Sequence, residues 1–269
     1  MDLAIEVPMI VDWPATWSKW NMFNTCHWKF YLHEGSKFIT GKAVIPFATN
    51  RAMQLGEQKH ELYERAASSL QNGYKIPEAL QQNPLWNPKI GEIISGLIGL
   101  YPNPVVEQKL GVDSTWRAWS LGEYWGPDKS LFGDRKMLFR AKFDFSVFND
   151  SIWKEPTHGV IIDYKSGKVR KEEIGKQLAL YALIAFCRWP SLQRVDCSYL
   201  FVDHNVRQDQ IYYDHDVPGL KRLFAQRALG MQQYLLESSK QLPISDVNAG
   251  NCYWCAATMN QCIKSTKEV

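Results

Sequence analysis

Runs of apolar residues with strand character crowd the middle of the chain, and segments with helical spacing lie on both sides of them. Residues 14–33 read as a helix with Pro14 at its start and aromatics along one stripe, and 50–70 as a second helix that ends before Gly73. A polar connection from Pro77 to Pro88 leads to a short helix over 90–100, stopped by Pro102 and Pro104. Strands are predicted at 104–112, 115–122, 136–148 and 159–165. A helix over 172–188 ends before Pro190, and strands near 195–203 and 208–213 precede a helix near 217–238. The chain then reaches a Cys-rich stretch at 249–262. Strands gathered centrally with helices around them predict an α/β protein, a mixed sheet flanked by helices.

The chemistry gathers where one of these strands ends. Val160, Ile161 and Ile162 form a buried run that exits through Asp163, Tyr164 and Lys165 and breaks at Gly167. Side chains two apart on a strand share a face, so Asp163 and Lys165 project together. Asp144 lies in a second strand-like run, Phe143 to Val147. Two carboxylates and a lysine at neighbouring strand ends suit metal-assisted phosphodiester cleavage. The carboxylates hold a hard cation, the cation generates a hydroxide, and the lysine neutralises charge. An Asp-x-Lys at a strand end is, by itself, more often a solvated ion pair.

The wider pattern resembles the PD-(D/E)xK nuclease superfamily, in its RecB-like exonuclease branch with a four-cysteine iron–sulfur cluster. CRISPR-associated RecB-like exonucleases and the AddB nuclease domain are of this kind. Five segments in family order carry the resemblance: Trp17 to Tyr31 with Cys26, Leu55 to Glu64 with His60, Asp144 with Asp163-Tyr164-Lys165, Gln177 to Tyr181, and Cys252-x-x-Cys255-x6-Cys262. The Gly that the family usually places shortly before its motif Asp is absent, and Ala141 takes the small-residue position. The last Cys spacing is one residue longer than the commonest family form.

The resemblance implies a restriction-endonuclease-like αβββαβ core within one nuclease domain. Its helical part would cover about 1–103, its core about 104–215, and a C-terminal helix with a Cys-rich clasp about 216–269. It implies catalytic roles for Asp144, Asp163 and Lys165. It implies Mg²⁺ or Mn²⁺ on His60, Asp144, Asp163 and the backbone carbonyl of Tyr164. Gln177 and Tyr181 would help hold DNA, single-stranded or at an end. The implied activity is that of a deoxyribonuclease, most simply an exonuclease, in recombination, repair or phage and CRISPR DNA processing. A weakly active or inactive DNA-binding module with the same fold is the alternative.

Three of the six cysteines, Cys252, Cys255 and Cys262, cluster near the end of the chain, and Cys26 is the natural fourth ligand. Four thiolates suit zinc or an iron–sulfur cluster, and spacing does not choose between them. The resemblance favours [4Fe–4S], with structural Zn²⁺ as the alternative. Cys187 and Cys197 read as small buried hydrophobes. Asp2, Glu6 and Asp12 interrupt the opening residues, so no secretory signal is expected, and the expected compartment is the reducing cytoplasm of a bacterial, archaeal or phage-infected cell.

A net charge of +3 is too small for nucleic-acid binding to be argued globally, so it must rest on local patches such as Lys165, Lys168, Arg170 and Lys171, or Arg135, Lys136, Arg140 and Lys142. No apolar run approaches a membrane span. Gly35-x5-Gly41-Lys42-Ala43 misses the phosphate-binding-loop pattern by one residue and lacks its Ser or Thr. Strand separation would therefore need a partner, such as a helicase or recombination protein.

Overall fold

The computed structural model describes residues 14–44, 51–101, 103–120, 136–149, 154–169 and 176–240. The predicted Cys-rich stretch and Arg170 lie outside these residues.

The chain opens with α1 (Trp17–Thr25) and α2 (His27–Phe30), then a π-helical turn (Tyr31–Gly35) and α3 (Ser36–Thr40). The single helix predicted over 14–33 is thus broken at Cys26 and runs on to Thr40. Cys26 is extended, with φ −162°, and its Sγ accepts the Lys29 N–H at 3.4 Å. It closes one helix and caps the next. The Gly35–Gly41 segment is helical up to Gly41, whose φ of +76° ends α3, so it forms no phosphate loop.

Next come α4 (Arg51–Gln71), α5 (Glu78–Gln81) and α6 (Pro88–Leu100). α5 interrupts the predicted connection. The strands are β1 (Val105–Asp113), β2 (Ala118–Ser120), β3 (Met137–Phe148), β4 (His158–Lys165), β5 (Arg194–Phe201) and β6 (Val206–Tyr213). α7 (Lys176–Arg188) joins β4 to β5, and α8 (Val217–Lys240) follows a 3₁₀ turn. The sheet order is β2-β1-β3-β4-β5-β6. Every pairing is antiparallel except β4–β5, where α7 supplies the crossover that parallel strands need. This is the predicted mixed sheet flanked by helices.

Each face of the sheet has its own core. Phe143, Ile161, Val195 and Cys197 pack with α7 and α8, through residues such as Leu183 and Phe224. Phe145, Val147, Val160 and Ile162 pack with Tyr63 of α4 and Ile90 and Ile94 of α6. Phe143 and Phe145 are two apart yet lie in different cores. The in–out alternation of β3 therefore inverts at Asp144. On β1, Glu107 falls opposite Asp144 in the register and has φ +55°, a left-handed conformation that is strained for a residue with a Cβ. Cys197 is fully buried, as expected, and Cys187 packs half-buried against the same core.

The β1–β2 turn is organised by Asp113, which is 0 % exposed. Its Oδ1 accepts from the Thr115 amide at 2.8 Å, the Thr115 hydroxyl at 2.7 Å and the Arg117 amide at 3.0 Å, and its Oδ2 accepts Trp119 Nε1–H at 2.9 Å. Asp113→Ala would strand these donors and should cost about 3 kcal/mol, with Asp113→Asn intermediate. Urea unfolding of the variants checks this ordering.

Candidate functional site

β3 and β4 are paired from Phe148↔Gly159 to Phe145↔Ile162. The next pair in register is Asp144 and Asp163, and there the strands part. The Tyr164 N–H is taken by Asp144 Oδ2 at 2.9 Å instead of by a β3 carbonyl. Farther along the fork Ala15 bridges β3 at Phe139, donating its N–H to Leu138 O at 2.9 Å and accepting from Arg140 N–H at 3.0 Å. The start of α1 is thereby fixed across the fork's far end.

Both acids are buried, at 4 % exposure for Asp144 and 3 % for Asp163. Alternation along β4 turns Asp163 and Lys165 towards α7 and sends the Tyr164 ring into the opposite core, against Tyr63 at 5.4 Å. Lys165 Nζ lies 2.6 Å from Asp163 Oδ2, off the angle of a hydrogen bond, so Oδ2 has a charged neighbour but no hydrogen bond among the described residues. Asp163 Oδ1 accepts from the Tyr181 hydroxyl at 2.9 Å and from Gln177 Nε2 at 3.1 Å. Gln177 Oε1 accepts from Lys165 Nζ at 3.0 Å. The i, i+4 pair on α7 thus turns inward on the Asp163–Lys165 pair.

His60 reaches the fork from α4. Its Nε2 donates to the Tyr164 carbonyl at 2.6 Å, and its Nδ1 lies 3.3 Å from Asp144 Oδ2. Gly56, one turn earlier, explains how α4 comes so close: a Cβ there would stand 2.7 Å from Ser166 Oγ. Glycine is disfavoured inside helices, so this position is used for close approach.

Burial, and then the charge of Asp163, raise the Asp144 carboxyl to about 8, against the opposing Tyr164 N–H. At neutral pH the metal-free fork therefore keeps a proton on Asp144. Burial lowers His60, so its imidazole is neutral there.

The donor set is two carboxylates, one imidazole and one backbone carbonyl. Adjacent ligands of an octahedral cation with bonds of about 2.1 Å stand about 3 Å apart, and the His60 contacts bracket that spacing. Hard oxygen donors with one imidazole fit Mg²⁺ or Mn²⁺. Among the described residues, no three His, Cys, Asp or Glu side chains are already closed into a metal cage.

The fork opens into a cleft of about 1030 Å³. Lys165, Lys168, Lys109, Arg140 and Lys142 line it, and among the described residues Asp144 is the one carboxylate on its wall. Lys142 is paired with Glu107. Among the described residues no acid pairs with Lys109, Arg140 or Lys168. Trp17 and Asn21 of α1, Gln177 and Tyr181 of α7, and Tyr199 and Phe201 of β5 also line it. Lys136 is not among the lining residues.

Sequence reading missed Tyr199, Phe201 and Asp203, although a usable signal existed. They lie at the carboxyl end of β5, parallel to β4, where open α/β sheets place their sites. Cys26 sits at the α1–α2 junction. Tyr234 of α8 donates to His27 O at 3.0 Å, so the last described helix returns the chain to the neighbourhood of Cys26. Cys252, Cys255 and Cys262 fall outside the described residues. No described helix is long and apolar enough to cross a membrane.

The family model of the PD-(D/E)XK nuclease superfamily matches residues 14–260. No curated protein is significantly similar to the chain. Among solved structures, that of SSO0001 aligns at 13 % identity over 78 % of this chain and 95 % of that one, with a TM-score of 0.29, too low to equate the two folds. The family match spans α1 through α8 and takes in every residue of the fork, and the chain belongs to the PD-(D/E)XK nuclease superfamily.

Proposed function

We propose that the protein is a Mg²⁺- or Mn²⁺-dependent deoxyribonuclease of the RecB-like branch, acting as an exonuclease on single-stranded DNA or DNA ends inside the cell. The observation that carries this reading is the convergence of His60, Asp144, Asp163 and the Tyr164 carbonyl at one fork, with Lys165 beside them. A cation held there supplies a Lewis acid and a hydroxide at neutral pH. Lys165, fixed by Gln177, neutralises charge developing on the scissile phosphate. Tyr181 and Gln177 occupy Asp163 Oδ1, so Oδ2, beside which Lys165 Nζ lies in the metal-free protein, is the oxygen that would take the cation. Gln177 also lines the cleft, where it can touch DNA. Lys109, Arg140 and Lys168 hold phosphates, and Arg170, two positions after Lys168 in sequence, is a further proposed contact. A fork closed at its far end by Ala15 and α1 favours a strand terminus over the middle of a duplex. Helicase or recombination partners would deliver such ends.

The finer reading extends to Cys26, Cys252, Cys255 and Cys262 as ligands of a [4Fe–4S] cluster that clasps the two ends of the chain, with zinc as the alternative. The return of α8 to His27 supports it. Cys26→Ser should remove most of the bound iron while leaving Mn²⁺ binding at the fork within about threefold. Metal analysis of anaerobically purified protein decides between iron and zinc, and an unchanged metal content would remove Cys26 from the ligand set.

Asp163→Ala and Lys165→Ala should each lower Mn²⁺-dependent cleavage of end-labelled single-stranded DNA by about two to three orders of magnitude. Near-normal cleavage by Lys165→Ala would overturn the assignment.

Because Asp144 holds a proton up to about pH 8, Mn²⁺ binding at pH 7 should release about one proton. Apparent affinity should fall roughly tenfold per pH unit below that point. Titration calorimetry in buffers of different ionisation enthalpy measures the release, and its absence would show that Asp144 is already ionised in the metal-free fork.

A further inference from the structure

Lys59 immediately precedes His60 on α4, yet it does not enter the cleft. It is 6 % exposed, and its ammonium pairs with Asp203 Oδ1. Asp203 lies just past β5. Its other oxygen, Oδ2, accepts the Gly167 N–H at 3.0 Å, two residues beyond Lys165. Gly167 has φ +91°, a conformation that favours glycine. The neighbouring Val202 N–H donates to Lys165 O at 3.0 Å. Val202 O in turn accepts Asn87 Nδ2–H at 2.7 Å, and Asn87 is the N-cap of α6. The turn after β5 therefore receives α4, α6 and the exit of β4 together.

The bridge ties α4 to the exit of β4, beside the fork. His60 arrives on α4, and Asp163 and Lys165 arrive on β4. The link is a long-range one, since Lys59 and Asp203 are 144 positions apart in sequence. One carboxylate, with one oxygen on Lys59 and the other on Gly167, ties the two elements together beside the Tyr63–Tyr164 contact. A buried ammonium left without its partner is strongly unfavourable, so the bridge resists being pulled open.

We propose, on the basis of the nuclease reading, that Asp203 is a positioning residue for the cation site. Through Lys59 and Gly167 it sets the distance of His60 from Asp163 and Lys165. Partners that orient metal ligands typically govern affinity by about 10- to 100-fold. The effect belongs to cation binding and not to chemistry once the site is loaded.

The test uses the full chain with Asp203→Asn and Lys59→Met, and with Asp209→Asn as a control, because Asp209 pairs with Arg207 on β6. Mn²⁺ binding is measured by calorimetry without DNA. The His60 ring and Gly167 amide resonances are followed in metal-free protein, with His60→Gln assigning the ring. Asp203→Asn should weaken Mn²⁺ binding at least about tenfold and raise the Mn²⁺ needed for half-maximal cleavage by the same factor. Cleavage at saturating Mn²⁺ should stay within about threefold. Asp203→Asn should move the His60 ring signals, and Lys59→Met should move the Gly167 amide, each across the bridge from the altered residue.

The double variant should bind Mn²⁺ no more weakly than the poorer single one, as expected for two ends of one link. If Asp203→Asn fails to fold, Lys59→Met reads the same link from its other end. Unchanged Mn²⁺ affinity with unmoved resonances, whatever the thermal midpoint, would overturn the proposal. A wild-type chain that neither binds Mn²⁺ nor cleaves would overturn the nuclease reading, while the resonances would still decide whether the bridge couples α4 to β4.

Discussion

Asp144 and Asp163 face each other, buried, where β3 and β4 part, and two negative charges in such a place oppose one another strongly. The surroundings answer that cost with donors. The Tyr164 N–H leaves the sheet ladder for Asp144, the Tyr181 hydroxyl and the Gln177 amide serve Asp163, and the Lys165 ammonium lies beside it. A proton on Asp144 completes the compensation in the free protein. The splaying of the strands is part of the same solution. A fully zipped ladder would leave the Asp144 side chain without the Tyr164 N–H, and His60 without access to the Tyr164 carbonyl.

The sheet pays for this opening locally. Opposite Asp144, Glu107 sits in left-handed backbone space and pairs with Lys142, and both strands change which core they feed at that step. Strain of this kind persists where surrounding packing over-determines it. Here the packing is the pair of aromatic and aliphatic cores above and below. Phe143 is anchored against Tyr181 on one side, and Phe145 lies in the Tyr63 core on the other.

Much of this was legible in the sequence. The mixed sheet followed from where the strand-like runs fell, and the shared face of Asp163 and Lys165 followed from period-two geometry. The i, i+4 spacing of Gln177 and Tyr181 put them on one helix face, though not which way that face would turn. The break at Cys26 was hidden because the aromatic stripe continues across it. The inversion at Asp144 was hidden because phenylalanine flanks it on both sides, so either alternation fits. His60 was reached through resemblance, since periodicity gives a helix but not its target. The Lys59–Asp203 link was out of reach, because nothing in either segment's local pattern points to the other.

The proton on Asp144 separates folding from metal loading. In proteins whose metal ligands are thiolates closed around a cation, stripping the metal removes the core and the chain unfolds. In this fork a proton can stand in for the cation. The folded carboxyl holds its proton more tightly than an unfolded chain would, so its contribution to the metal-free form is fullest below about pH 4 and is lost progressively as pH rises towards about 8. If the proposed cation dependence holds, a cell poor in free divalent ions would hold an intact, silent protein, and the supply of cation would set activity without touching the fold.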